Sequence, residues 1–187
     1  MSPEKPAKKS VTKSASKERA EPLTKIKPAK PRLGWREWVS VPELGVAAVK
    51  AKVDTGARSS SLHAEDVIVL EKRGKSYVQF VIGGGKRRGK LYRGGEETCV
   101  VPLHDMRWVT SSNGTRQRRP VIVVEVHLCG QSWPVDLTLT SRENMGFPML
   151  LGREAIRGRF VVDPARSYLS KEHLPLRRKA LKQATKT

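Results

Sequence analysis

Asp54-Thr55-Gly56-Ala57 follows a run of small and branched apolar residues, Ala47 to Val53, and leads into the small polar run Arg58 to Ser61. An aspartate at the end of a strand, on a turn that a glycine lets close tightly, has its carboxylate presented and its backbone held. Such a carboxylate can take a proton from water or return one, which is general acid and base chemistry. The same four residues also suit an ordinary turn between two strands, and alone they leave both readings open. A second element bears on the choice. Pro148-Met149-Leu150-Leu151-Gly152-Arg153 reads as an apolar strand that ends in glycine and passes into a short helical stretch, Glu154 to Arg157.

The elements that must position these residues are mostly strands. Trp38, Val39 and Val41 lead to Pro42, and Val46 to Val53 is rich in Val and Ala. Further β-rich runs are Val67 to Leu70, Tyr77 to Ile82, Thr98 to Leu103, Val121 to Leu128 and Trp133 to Leu139, mostly separated by Gly, Pro, Asn or charged turns. Glu125 and His127 alternate with Val124, Val126 and Leu128, which predicts a strand with one wetter face. Helical candidates are confined to Arg153 to Arg157 and the tail after Leu174. The expected fold class is all-β, a closed or barrel-like sheet with one short helix.

Taken together, Trp35-Arg36-Glu37-Trp38-Val39, Ala51-Lys52-Val53-Asp54-Thr55-Gly56-Ala57-Arg58, Ser61-Leu62-His63-Ala64, Met149-Leu150-Leu151-Gly152-Arg153 and Phe160-Val161-Val162-Asp163-Pro164 resemble the retropepsin-like aspartic peptidases. The resemblance is closer to a bacterial branch often labelled ATP-dependent zinc proteases. It implies a retropepsin-like closed β-barrel in which Asp54 is the catalytic aspartate, Thr55 ties two active-site loops together through its hydroxyl, and Gly56 makes the turn. Ala57, Leu150, Leu151 and Gly152 would support that loop, with the last three packing behind it. Arg58, Asn113 and Gly114 are candidates for substrate or flap contacts. The polar segment Ser111 to Thr115 is the preferred flap tip, and the Gly-rich stretch 83–89 is the alternative.

The implied chemistry needs two carboxylates close enough to share a proton, so that one activates water while the other hydrogen-bonds the scissile carbonyl. The chain has a single Asp-Thr-Gly and no Asp-Ser-Gly. A working site therefore calls for a homodimer, with Asp54 of each protomer facing the other across a two-fold axis. Asp136, within an apolar strand, and Asp163, before Pro164, are candidates for a partner within one chain, and both read more readily as structural. The labels zinc and ATP find little in the residues. There is no His-Glu-x-x-His, and His63, His104, His127 and His173 lack ligand spacing. His63 is close enough in sequence to touch substrate, and a hydrogen-bonded role suits it better. Gly84, Gly89 and Lys90 match a phosphate-loop spacing, but Leu91 stands where a Ser or Thr would ligate magnesium. No cofactor and no metal are expected.

Charge bounds the remaining classes. The 187 residues carry a net charge of +19, and residues 1–32 hold 10 Lys/Arg against 3 acids while residues 171–187 hold 6 against 1. Both ends lack apolar periodicity and read as disordered basic tails around a folded unit at 33–170. Weak, salt-sensitive contact of these tails with nucleic acid or ribosomes stays open. Aromatic residues make up only 5%, which leaves little for a base-stacking platform. A non-catalytic peptide-binding module on the same fold is the other alternative. No apolar run approaches the roughly 20 residues of a membrane span, and the first residues have no apolar segment of a secretory signal, so a cytoplasmic, membrane-free protein is expected. Cys99 and Cys129 are read as buried thiols.

Overall fold

Branched and aromatic side chains pack well on a pleated surface, and the runs rich in them form the strands of this chain. The computed structural model describes residues 29–83, 91–93, 96–111 and 114–170. In chain order the strands are β1 (Arg32–Gly34), β2 (Arg36–Val41), β3 (Val46–Asp54), β4 (Ser60–His63), β5 (Glu65–Lys72), β6 (Lys75–Ile82), β7 (Tyr92–Arg93), β8 (Glu97–Pro102), β9 (Asp105–Thr110), β10 (Arg116–Leu128), β11 (Gln131–Thr140), β12 (Met149–Gly152) and β13 (Val161–Asp163). A 3-10 turn at Pro42–Leu44 separates β2 from β3, and the short helix α1 (Arg153–Ile156) follows β12 directly.

Six strands close into a barrel in the order β2, β3, β12, β4, β11, β10 and back to β2. β12 lies between β3 and β4, parallel to the first and antiparallel to the second, and β11 runs parallel to β4. Closure leaves these strands without free edges and encloses one core. That core includes Val39, Val49, Leu62, Ile122, Val126, Leu137, Leu139, Met149 and Leu151, all essentially inaccessible. A second sheet, β5-β6-β8, lays Val78, Phe80, Ile82 and Cys99 onto the same core.

β10 has two halves. Val121–Leu128 pairs with β11 inside the barrel, with Val124, Val126 and Leu128 buried and Glu125 and His127 exposed, as their alternation predicts. Arg116 to Val121 instead pairs with β9, which makes a hairpin beyond the barrel wall. Its residues Arg116-Gln117-Arg118-Arg119 carry no apolar signal, because backbone pairing rather than burial holds them in a strand. β10 turns into β11 through Cys129 and Gly130, both at positive φ (50° and 71°), the two-residue hairpin turn that matches strand twist.

Three expectations need adjusting or fall elsewhere. Strand β1 starts at Arg32, the last residue read as tail, because it pairs with β13 in parallel. Cys99 is buried, whereas Cys129 is only half-buried at its turn. Burial and the nearby Glu37 push the Cys129 thiol up to about 11, which keeps it protonated at neutral pH. Residues 1–28 and 171–187, read as tails, and all of the Gly-rich stretch 83–89 but Gly83 lie outside the described residues. No helix among the described residues is long and apolar enough to cross a membrane.

The two ends of the described fold meet at Glu37, which is fully buried. Its carboxylate accepts hydrogen bonds from the backbone N–H of Gly34 (2.6 Å), Leu169 (3.0 Å) and Ser170 (2.9 Å) and from the Ser170 hydroxyl (2.7 Å). A buried charge is tolerated when donors surround it in this way. Glu37→Ala would strand these donors, and we expect it to cost about 3 to 4 kcal/mol in urea unfolding. A loss below about 1 kcal/mol would show that Glu37 is not the clamp.

Candidate active site

Asp54 is the last residue of β3, and its own backbone turns around its side chain. Oδ1 accepts hydrogen bonds from the N–H groups of Gly56 and Ala57, each at 3.0 Å. This local turn fixes the carboxylate rotamer without help from distant residues. The side chain is 28% exposed, and Lys52 Nζ stands 3.7 Å from Oδ2. Gly56 has no left-handed backbone, and a Cβ there would make ordinary contact with Asp54 Oδ1 at 3.4 Å, so its place in the turn is set by the amide it gives to that oxygen. Thr55 and Gly56 are both exposed.

β12 holds this loop from behind. Leu151 pairs with Val53 and Gly152 with Asp54. Gly152 N–H donates to Ser60 Oγ at 3.0 Å, and a Cβ on Gly152 would clash with the Ser59 carbonyl oxygen. The first residues of α1 continue the attachment: Arg153 N–H donates to Ala57 O (2.8 Å) and Glu154 N–H to Arg58 O (3.1 Å). Arg58 and Glu154 also pair through their side chains at 2.7 Å, well exposed. Leu151 and Gly152 are buried. Leu150 departs from the expectation that it packs behind the loop, because successive strand residues face opposite ways and it lines the cleft instead.

That cleft has a volume of about 1170 Å³ and takes Asp54, Ala57 and Arg58 as part of its lining. Trp108, Val109 and Thr110 of β9 and Ser111 beyond it form another wall. Ser111, Gly114 and Thr115 follow β9 and precede β10, and there Ser111 N–H donates to Thr115 O and Gly114 N–H to Ser111 O, both at 2.9 Å. Gly114 is exposed with φ of 82°, a conformation that a side chain would strain. Asn113 lies outside the described residues. Asp136 also lines the cleft, with Oδ2 accepting from Arg107 Nη2 at 3.0 Å, while Asp163 accepts from Ala165 N–H in its own turn.

The sequence reading did not single out Arg142, which is 8% exposed and lines the same cleft. Its Nε donates to Phe147 O (3.0 Å), its Nη1 to Ser61 Oγ (2.9 Å), and its backbone N–H to His63 Nδ1 (2.9 Å). His63 Nε2 faces Glu65 Oε1 at 3.2 Å. An accepting Nδ1 and a donating Nε2 make the neutral ring a positioning group, with both nitrogens engaged. Burial lowers the Arg142 guanidinium from its ordinary value and the neighbouring Arg119 lowers it further, whereas Asp54 acts in the opposite sense. No sequence signal marks Arg142, since long-range folding brings it to the cleft. Zinc finds no fit here: His63 is engaged, His127 pairs with Glu125, and no three His, Cys, Asp or Glu side chains converge among the described residues.

A closed barrel with an Asp-Thr-Gly loop backed by an apolar strand and glycine is the architecture of retropepsin-like proteins. A family model described as RimB-like, retropepsin-like aspartic endopeptidase RimB, matches residues 32–173, and the chain belongs to this family. It is 41% identical over 136 residues to a probable alpha-L-glutamate ligase of Shewanella pealeana, which covers 73% of this chain and 29% of that protein. A protein of the same description from Desulfotalea psychrophila is 39% identical over 137 residues, again 73% and 29%. The chain thus spans under a third of the curated relatives it matches. A solved structure of a Legionella pneumophila protein of unknown function aligns with a TM-score of 0.61 and 26% identity, over 76% of this chain and 99% of that one.

Gly152→Ala tests the support of the loop. The added methyl must displace the Ser59 backbone, so we expect a loss of about 2 kcal/mol and faster amide exchange at Gly56 and Ala57. Unchanged exchange at both amides would show that β12 does not hold the Asp54 turn.

Proposed function

We propose that this chain is an aspartic endopeptidase whose active form is a homodimer. The observation that carries the reading is the Asp54 loop itself, which is fixed by its own amides and held by β12, yet leaves Thr55 and Gly56 exposed at the side of a large cleft. One such loop per chain supplies half of a proton-sharing dyad. In the dimer, one Asp54 carboxylate takes the proton of the attacking water while the protonated partner hydrogen-bonds the scissile carbonyl. Thr55 and Gly56 of the two copies then meet across the two-fold axis. Neither a metal nor ATP enters this chemistry.

The substrate of this reading is a peptide or protein that carries glutamate. The cleft is lined by Lys52, Arg58, Arg107, Arg119 and Arg142 against Asp54, Asp136 and Glu154, an excess of positive charge. The relatives that contain a matching segment are named for glutamate ligation, a second and independent pointer to glutamate. Because that name belongs to proteins more than three times the matched length, ligation by this chain alone is the weaker reading.

A cleavage profile on mixed peptides with wild type and Asp54→Asn tests the proposal. The amide keeps the shape of the turn but cannot act as the base, so turnover should fall by at least about a thousandfold with an unchanged melting curve. Specific activity should fall on dilution as dimers separate, and Thr55→Ala should steepen that fall. Chelator should leave the rate intact, and ATP with magnesium should not raise it. Full activity of Asp54→Asn, or loss on chelation with recovery on adding zinc, would overturn the mechanism. A purely nucleic-acid-binding protein would instead show no cleavage and retain RNA equally well with either side chain.

A further inference from the structure

We propose that the free edge of β5 pairs antiparallel with β5 of a second copy, which joins two sheets of three strands into one of six. In the order β5-β6-β8, β5 is the outer strand, and no other strand among the described residues bonds to its far side. Every residue from Asp66 to Lys72 is exposed. Val67, Ile68, Val69 and Leu70, with Val100 of β8, make up five of the ten exposed large apolar side chains among the described residues. Exposed apolar side chains on both faces of an open edge make it a template for another strand, which natural edges otherwise block with charge, proline or a bulge. β5 has no proline, and its one bulge lies at its start, where Asp66 has φ of 50°. The stretch 67–72 is left regular and open.

Backbone and charge select the same register, and both point to a second copy as the occupant. The two-residue turn Arg73-Gly74, at φ of 52° and 72°, joins β5 to β6, with Lys72 facing Lys75 across it. Lys72 is therefore bonded to β6, as is Leu70 two residues back, whereas Val69 and Glu71 turn N–H and C=O to the free edge. A two-fold axis through an antiparallel pair sets one residue opposite its own copy. With Val69 on the axis, the two Val69 residues exchange both backbone bonds, and Ile68 of one copy faces Leu70 of the other. Asp66 of one copy then lies across from Lys72 of the other, and Glu65 across from Arg73. An axis at Ile68 would instead set Glu65 against Glu71, and an axis at Leu70 would set Lys72 against Ile68, so charge favours Val69. Among the described residues, Asp66, Lys72, Arg73 and Lys75 have no ion-pair partner in their own chain. The three cations share a groove of about 440 Å³ with Leu70, Tyr77 and Val100, and the register brings Ile68 of the other copy to its apolar side and Asp66 to its charged side. No residue of β5, β6 or β8 lines the Asp54 cleft, so this contact is distinct from one that brings two Asp54 loops together.

Site-directed cross-linking of the full-length chain tests the contact and its register together. Residues in a hydrogen-bonded antiparallel pair stand about 5.5 Å apart at Cα, within reach of a disulfide. Val69→Cys, oxidised with copper phenanthroline and run without reductant, should become mostly covalent dimer, with wild type giving the background of Cys99 and Cys129. Val67→Cys and Glu71→Cys should each remain single chains alone and cross-link when mixed, because only Val69 faces its own copy. Val123→Cys, at an exposed apolar position of β10, is the control. In the Val69→Cys background, Asp66→Lys or Lys72→Asp alone should cut the dimer yield about fivefold, and the two together should restore it. In sedimentation equilibrium, Val69→Lys should show about half the wild-type mass at equal concentration, since two like charges would meet on the axis. Equal yields from Val69→Cys and Val123→Cys, self-cross-linking of Val67→Cys as strong as that of Val69→Cys, or an unchanged mass in Val69→Lys would overturn the proposal. Asp54 is untouched in all of these variants, so cleavage by the same samples reports on the shared dyad separately from the β5 contact.

Discussion

Gly152 has room for a hydrogen and nothing larger. β12 lies between β3 and β4, the two strands joined by the Asp54 loop, and its last residue approaches the Ser59 carbonyl so closely that a side chain would collide. Much else about the site follows from that contact. The backbone approach lets Ser60 Oγ reach the Gly152 amide, brings the start of α1 under Ala57 O and Arg58 O, and leaves the Asp54 turn attached to the barrel at several points. A loop of few residues is thereby tied at several points to the sheet that carries it, the kind of support that holds a carboxylate in one orientation.

The cleft divides its charges into two sets. Arg58 and Arg107 have carboxylate partners and are largely neutralised, which costs little because both pairs are part-exposed. Among the described residues Arg119 and Arg142 have no carboxylate partner at ion-pair distance, and both line the cleft along with Asp54. The barrel supplies the stiffness to hold such an arrangement, since Leu137, Leu139 and Leu62 pack beneath the strands that carry Thr138, Ser61 and the segment leading to Arg142. Buried hydrophobic packing thus offsets the cost of burying the Arg142 charge at the edge of the core.

Much of this was legible in the residues. Strand β3 ending in Asp-Thr-Gly, β12 ending in Leu-Leu-Gly and the alternation along Val121–Leu128 all express local rules, and the structure follows each. What could not be read locally depends on contacts far apart in the chain. Glu37 reads as an ordinary charged residue in a strand until the backbone of residues 169–170 closes over it. Arg142 reads as a charge after a strand until His63 and Ser61, some 80 residues earlier, hold it in the cleft. The basic half of β10 has no apolar periodicity at all, because its partner β9 satisfies its backbone while its side chains stay outside the core. Leu150 follows the strand rule that successive residues face opposite ways, so it could not share the buried side of Leu151.

The central claim is that two Asp54 carboxylates, one from each copy, act as a single unit. Mixing wild type with Asp54→Asn at constant total concentration, after time for chains to exchange, tests it most directly. If a dimer with one aspartate is inactive, the rate follows the square of the wild-type fraction, so an equal mixture retains about a quarter of the wild-type rate. A rate that falls in simple proportion, to about half in the equal mixture, would mean that each chain works with its own residues and would contradict the shared dyad.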